Sequence, residues 1–276
     1  MPADLPKRPL FVAHPDDESL ACGGLLQRVE TALVVFATDG AAPGFGGERI
    51  SETLKAYSDT RFLEASHALA HLSHALFQRL MKPDGSYFVE VHLFEELPEA
   101  FASLCTAARS FSPDAIISHA YEGAHLDHDA CSFLATHTTG ALSLPHFEFP
   151  LYWLNTSGNV VRQQFRGTSP GLVDTAHKVI ELHLSESEIA CKRKMLAEYN
   201  TQRGTVASFV PDVERFRLAS KSGDSFRDAR CRSYMYQERR PRFYHTRRHR
   251  LPAKALLKKF REFEDWQRIN RAGHEE

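Results

Sequence analysis

The sequence predicts an α/β fold with an open parallel sheet and helices on both faces. Short apolar segments alternate along the chain with longer segments of helical periodicity, which is typical of parallel strands joined by helices. Histidines and carboxylates follow directly after two of the apolar segments. Because ligands bind at the carboxyl ends of the strands in open α/β sheets, we expect a Rossmann-like architecture with the active site at that edge.

The individual elements follow from this alternation. Residues 9–13 form a continuous apolar run, as expected of a buried strand, and Leu20, Leu25 and Val29 recur at helical spacing after it. The full set comprises strands at 9–13, 32–37, 74–79 and 114–118, and helices at 18–30, 47–71, 95–111 and 128–138. The glycine-containing loop 40–47 follows the second strand, and we expect it to form a lip of the pocket.

The turn after the first strand carries a histidine and three carboxylates, in the order Ala13-His14-Pro15-Asp16-Asp17-Glu18. Carboxylates at a helix start complement the positive end of the helix dipole, so capping is the simplest alternative to a binding site. One acid is enough for capping, however. Capping also explains neither the histidine on the strand side nor the proline that fixes the backbone between histidine and acids.

A second polar segment, Tyr121 to Asp129, follows the apolar strand at 115–118. Catalytic zinc is commonly held by three nitrogen or oxygen ligands, with a fourth position left for water. His14, Asp17 and His128 would supply such a set for Zn²⁺. Asp16 would then remain as an unligated base, with His125 as a hydrogen-bond donor facing it. Asp127 could orient His125 from behind.

These two motifs resemble those of the LmbE-like or PIG-L superfamily of zinc-dependent N-deacetylases. The first matches the family signature (A/P)HPDDE, and His125-Leu126-Asp127-His128 matches the second, usually HPDH. Leu126 replaces the usual proline but touches no expected ligand. Further similarity covers roughly residues 8 to 220 and includes the segments Thr38-Asp39-Gly40, Arg61 to Glu64, Glu148 to Tyr152 and Lys194 to Gln202. In the last of these, Thr201 replaces the usual serine and keeps a hydroxyl.

The resemblance implies a hydrolase that removes the acetyl group from the N-acetyl amide of an amino sugar. Arg61 matches an arginine of the family and is our candidate for contact with sugar hydroxyls, although a buried arginine paired with Glu64 or with a helix end is an equal alternative. A non-catalytic zinc-containing sugar-binding protein and a metal-dependent phosphoryl hydrolase are the rival functions. The histidines argue against the second, because magnesium prefers oxygen ligands.

The composition indicates one enzyme domain, which we place at residues 1–238. No apolar stretch is long enough to span a membrane, and the first residues contain no apolar core of a secretion signal. The five cysteines are scattered and form no CxxC pair, which favours reduced thiols and a cytoplasmic location. His67, His71 and His74 are close in sequence, but without a suitable carboxylate or cysteine we expect them to be structural.

The segment 239–276 differs from the rest as a basic C-terminal extension. It contains Arg239, Arg240, Arg242, Arg247, Arg248 and Arg250. Residues 254–269 then place Leu256, Phe260, Phe263 and Trp266 at helical intervals. Such a helix could lie on a membrane surface, meet an anionic partner, pack on its own domain or contact a second subunit. We expect no nucleic-acid partner, and we expect this extension to be dispensable for the chemistry.

Overall fold

The structure, a computed structural model, describes residues 7–42, 51–155, 157–166, 178–219 and 253–272. The strands are β1 (Lys7–Val12), β2 (Thr31–Phe36), β3 (Ala75–Arg79), β4 (Ile116–His119), β5 (His146–Phe149), β6 (Tyr152–Leu154), β7 (Val160–Arg162), β8 (Ile180–His183) and β9 (Val213–Leu218). The helices are α1 (Asp17–Cys22), α2 (Ser51–Leu69), α3 (Leu97–Phe111), α4 (Leu126–Leu142), α5 (Glu186–Ala197), α6 (Arg203–Val206) and α7 (Ala253–Ala272). Short 3-10 helices lie at Leu25–Gln27, Leu93–Glu95 and Asn200–Gln202.

Seven strands form one sheet in the order β3-β2-β1-β4-β5-β9-β8. The first five are parallel, which confirms the predicted α/β fold. At the other edge β9 pairs antiparallel with β5, and β8 pairs antiparallel with β9. From β1 the chain proceeds to β2 and β3 on one side, and β4 and β5 lie on the other. The crevice between the carboxyl ends of β1 and β4 is therefore the topological switch point, where ligands bind in such sheets.

Helices cover both faces of the sheet, as predicted. Alternate residues of β1 point to opposite faces, so Phe11 belongs to one apolar core and Leu10 to the other. The first core lies under α3, α4 and α7. The second lies under α1, α2 and α5. The two cores therefore support the two faces of the sheet around the switch point.

The first helix is shorter than the predicted 18–30, because α1 ends at Cys22. The backbone N–H groups of Gly24 and Leu25 donate to the buried carboxylate of Glu214 at 2.6 and 2.8 Å instead of continuing the helix. A Cβ atom on Gly24 would lie 2.2 Å from Leu184. The apolar periodicity of the segment survives this break, since Leu25 and Leu26 remain buried in the 3-10 turn.

The predicted C-terminal helix is present as α7, and its apolar side packs on the same chain. Leu256, Phe260 and Phe263 are buried in the core under α4. The Phe260 ring stacks on Phe133 with 4.0 Å between centroids. The arginines predicted to make the extension basic, at 239–250, lie outside the described residues, as do Gly44, Gly46 and Gly47 of the predicted lip.

The three histidines at 67, 71 and 74 do not share a ligand site in this structure. His71 Nε2 lies 3.0 Å from Glu198 Oε1, and His74 Nε2 lies 2.8 Å from the carbonyl oxygen of Leu26. Within the described part of the chain, no helix combines the length and apolar character needed to cross a bilayer.

Candidate metal centre and active site

The three predicted metal ligands meet at the switch point. His14 follows β1, Asp17 begins α1, and His128 lies in the first turn of α4. His14 Nδ1 lies 3.3 Å from Asp17 Oδ2 and 3.3 Å from His128 Nε2, and the last two atoms are 3.6 Å apart. Ligands of a tetrahedral zinc ion, bound at about 2.0 to 2.1 Å, are separated by roughly 3.3 to 3.4 Å. The donor set and its spacing therefore fit a zinc ion.

Asp127 orients one of these candidate ligands, His14. Its Oδ2 atom lies 3.0 Å from His14 Nε2 and also accepts the backbone N–H of Val91 at 2.7 Å. A proton on His14 Nε2 leaves the lone pair of Nδ1 free to face a metal, which is the usual role of a carboxylate behind a metal-binding histidine. The predicted contact of Asp127 with His125 is not the principal one, because that carboxylate lies 4.0 Å from His125 Nδ1.

His125 is the N-cap of α4. Its Nδ1 atom accepts the backbone N–H of Asp127 at 3.2 Å, which assigns the ring proton to Nε2 in the neutral form. Burial, reinforced by His14, lowers the pKa of His125 to about 3. The ring lies edge-on to His14, with 4.6 Å between centroids. His125 is therefore placed as a neutral N–H donor at the edge of the metal centre.

Asp16, the predicted base, lies beside the three ligands and is buried. Its Oδ2 atom is 3.0 Å from Arg61 Nη2. Burial raises the pKa of Asp16 to about 8, while Arg61 opposes that rise. The backbone has φ 156° and ψ −27°, and the Asp16 N–H donates to Glu18 Oε2 at 3.1 Å. L-residues rarely adopt this conformation, which is often found at functional sites.

Arg61 is held by the protein on several sides. Its guanidinium donates to the carbonyl oxygens of Pro15 and Gly40 at 3.0 and 2.8 Å, in addition to its ion pair with Asp16. The alternative pairing with Glu64 does not occur, because that carboxylate accepts the backbone N–H and the hydroxyl of Thr201. Arg61 still lines the cavity described below, so a contact with substrate stays a prediction.

Two residues that sequence reasoning did not select, the buried His119 and the partly buried Glu90, complete the centre. His119, at the end of β4, stacks on His128 with 4.1 Å between ring centroids, and its Nε2 lies 3.3 Å from Asp17 Oδ2. The sequence signal that could have identified His119 is its position directly after an apolar segment, which it shares with His14. Glu90 Oε1 lies 3.9 Å from His14 Nε2. Glu90 stands in a loop without a recognisable motif, so only the fold brings it here.

Glu18 connects the turn after β1, which carries the candidate ligands His14 and Asp17, to a distant segment. Tyr199, 181 positions later, donates its hydroxyl to Glu18 Oε1, and Ser19 donates to the same oxygen at 2.6 Å. Burial raises the pKa of Glu18 to about 7. Because Glu18 also accepts the N–H of Asp16, this network supports the backbone of the candidate base.

A cavity of about 400 Å³ opens onto the centre. Its inner end is formed by the candidate ligands, Asp16 and His125. Leu20, Arg61 and Glu90 also line the cavity. The rest of the wall comes from the region of the β6–β7 hairpin and from the segment after α5, and it includes Leu151, Tyr152, Val160, Arg162, Thr201, Gln202, Gly204, Thr205, Ser208 and Phe209. This volume is within the range of small-molecule sites.

Three solved structures illustrate the similarity of the fold. A teicoplanin deacetylase has 16% identity and a TM-score of 0.55, with 79% of this chain and 99% of that chain covered. The A40926 pseudoaglycone deacetylase Dbv21 has 15% identity and a TM-score of 0.53, with 78% and 97% covered. The N,N'-diacetylchitobiose deacetylase from Pyrococcus horikoshii has 16% identity and a TM-score of 0.51, with 80% and 86% covered. At these identities the likeness shows the fold alone.

No curated protein sequence matches the chain. Residues 10–139 match the family model PIG-L, described as GlcNAc-PI de-N-acetylase. That segment includes the turn after β1, Arg61, His119 and the first turn of α4. The resemblance predicted from the two motifs is therefore confirmed over residues 10–139, where the chain matches PIG-L, the GlcNAc-PI de-N-acetylase family.

Proposed function

We propose that the protein is a zinc-dependent hydrolase that removes the acetyl group from the N-acetyl amide of an amino sugar. The observation that carries this proposal is the triangle formed by His14 Nδ1, Asp17 Oδ2 and His128 Nε2, with sides of 3.3, 3.3 and 3.6 Å. The family match supports the deacetylase reaction. A cytoplasmic location, predicted from the scattered cysteines, is part of the same proposal.

The three ligands would hold zinc, which when bound supplies a Lewis acid and lowers the pKa of a water molecule. The other side chains then have separate tasks. Asp16 accepts the proton of the attacking water and later returns a proton to the departing nitrogen. Arg61 holds the Asp16 carboxylate at 3.0 Å throughout these transfers.

His125 acts on the carbonyl oxygen of the amide, whereas Asp16 acts on the water and the nitrogen. Its Nε2–H donates to the carbonyl oxygen as negative charge develops there, which stabilises the transition state more than the ground state. The low pKa of this buried ring keeps it neutral near pH 7, so it acts as a hydrogen-bond donor and Asp16 carries the protons. The products are acetate and a free amine.

The test is to load the purified protein with zinc and to measure free amine and acetate from a panel of N-acetylated sugars. Asp16→Asn should keep its zinc but lose turnover by a factor on the order of one hundred or more. His14→Ala, Asp17→Ala and His128→Ala should each lose zinc and activity together, whereas His183→Ala, which alters an exposed histidine on β8, should lose neither.

Two outcomes would contradict the proposal. If the protein binds one zinc ion and the sugars but releases no amine, it is a zinc-containing sugar-binding protein. If Asp16→Asn turns over normally, another group is the base. Full zinc occupancy in any one of the three alanine variants would remove that residue from the ligand set.

A further inference from the structure

The outer wall of the cavity contains an arginine that the proposed chemistry does not use. Arg162 ends β7 and pairs across the hairpin with Tyr152 of β6. The Tyr152 ring lies 5.2 Å from the ring of His128, and both Tyr152 and Arg162 line the cavity. Directly paired residues of an antiparallel hairpin point to the same side. One side chain therefore separates Arg162 from a candidate metal ligand.

The carboxylates that line the cavity all lie next to Arg61 or to the histidines at its inner end. Asp16 and Glu90 face Arg61, at 3.0 and 3.4 Å, and Asp17 lies among the histidines. Arg162 forms no ion pair with a carboxylate among the residues that the structure describes. Its guanidinium lies instead 5.7 Å from the ring centroid of Phe209, another lining residue.

Apart from Gly204 and Phe209, the residues that line the cavity from the segment after α5 are polar but uncharged. They are Thr201, Gln202, Thr205 and Ser208. The Thr201 and Ser208 hydroxyls already donate to Glu64 and to the carbonyl oxygen of Thr205, and the Gln202 amide donates to the Tyr57 hydroxyl. The Thr205 hydroxyl can therefore add a hydrogen bond to an anion, but none of these groups can neutralise an arginine. The described outer cavity thus has one uncompensated positive charge and, in the Thr205 hydroxyl, one further donor for an oxygen-rich ligand.

We infer that the sugar substrate carries an anionic group and that Arg162 binds its oxygens. The guanidinium presents paired N–H donors that match phosphate and carboxylate geometry, and such charge-assisted hydrogen bonds are the strong ones. This inference rests on the proposed function, since it names the substrate class of the same site. It makes Arg162 a specificity residue, whereas Asp16 and His125 perform the chemistry.

Binding can be measured without turnover in the zinc-loaded Asp16→Asn protein. The ligands are N-acetylglucosamine, its 1-phosphate and 6-phosphate, and N-acetylmuramic acid, whose anionic group is a carboxylate. At least one anionic sugar should bind more tightly than N-acetylglucosamine, and the ligand that does so identifies the anionic group and its position. Adding Arg162→Gln should weaken that binding by a factor on the order of 10 to 100 and leave N-acetylglucosamine unchanged.

Two further variants sharpen the comparison. Arg162→Lys keeps the charge but not the paired donors, so it should give an intermediate affinity. Arg203→Gln removes the same charge from a neighbouring residue that does not line the cavity and should have no effect. The inference fails if no anionic sugar binds more tightly than N-acetylglucosamine, or if Arg162→Gln weakens neutral and anionic sugars equally. Arg162-dependent binding without amine release from the wild-type enzyme would instead refute the proposed reaction alone.

Discussion

His14 Nε2 lies 3.0 Å from Asp127 Oδ2, although 113 positions separate the two residues in the chain. The contact joins the turn after β1 to the first turn of α4. It fixes which nitrogen of His14 faces the other two candidate ligands, Asp17 and His128. A carboxylate behind a metal-binding histidine commonly changes metal affinity by 10- to 100-fold, so this pair gives the first prediction.

Asp127→Asn should lower zinc affinity by about 10- to 100-fold, because an amide orients His14 less firmly and makes it a weaker ligand. Competition with a chromogenic chelator measures this change directly. Asp59→Asn, which alters a carboxylate on α2 that pairs with Lys55, should keep the wild-type affinity. An Asp127→Asn protein that is folded and binds zinc normally would show that the His14 orientation does not depend on this carboxylate.

Tyr199→Phe should lower the free energy of unfolding by about 1 to 3 kcal/mol, since it removes a donor from the buried Glu18 carboxylate. Turnover should also fall, because Glu18 accepts the backbone N–H of Asp16. Urea unfolding and amine release measure the two effects. Tyr87→Phe, at an exposed ring, is the matched control. Equal stability of the two variants would mean that the Tyr199 hydroxyl contributes nothing to folding.

Phe260→Ala should destabilise the protein by about 3 to 5 kcal/mol, because the ring is buried and stacks on Phe133 of α4. Ile269→Ala, on the same helix but 72% exposed, should have little effect. Removal of the chain from Ala253 onward should therefore lower the melting temperature, even though no candidate site residue lies there. A truncated protein with wild-type stability would show instead that the extension is dispensable.

The buried His146 should make the protein sensitive to acid. Burial lowers its pKa to about 4, against roughly 6.5 in the unfolded chain. The unfolded state therefore binds more protons than the folded state between these pH values. The contribution of His146 to the free energy of unfolding is complete above pH 6.5 and is lost as the pH falls toward 4.

His146→Gln should accordingly lose less stability between pH 7 and pH 5 than the wild type does, by about 2 kcal/mol. Urea unfolding at both pH values measures the difference, and contributions from the other histidines cancel in the comparison. His183→Gln, at an exposed position, should follow the wild type. A His146→Gln protein with the wild-type pH dependence would contradict the prediction.

Much of the fold could be predicted because each strand buried on both faces leaves a continuous apolar run, as in residues 9–13. The first helix was predicted too long for a physical reason. Apolar periodicity persists through Leu25 and Leu26, but the carboxylate of Glu214 takes the N–H groups of Gly24 and Leu25. A contact 190 positions away leaves no trace in local periodicity.

The antiparallel strands β8 and β9 show the same limit. β9 pairs with β5, and β8 pairs with β9, so both pairings depend on the position of β5 in the rest of the sheet. Likewise, the spacing of Phe260 and Phe263 predicted an amphipathic helix, but it did not say what covers its apolar side. Four occupants were compatible with the sequence, and packing against α4 selects one of them.

By itself the sequence determined which side chains are candidate ligands, because His14, Asp17 and His128 stand within a few residues of two strand ends. The tertiary structure alone decided their partners: Asp127 behind His14, Arg61 beside Asp16, His119 against His128, and Arg162 in the outer wall. The physical reason is that ligand identity follows from local chain chemistry. Orientation and charge balance depend instead on contacts between segments that only the folded sheet brings together.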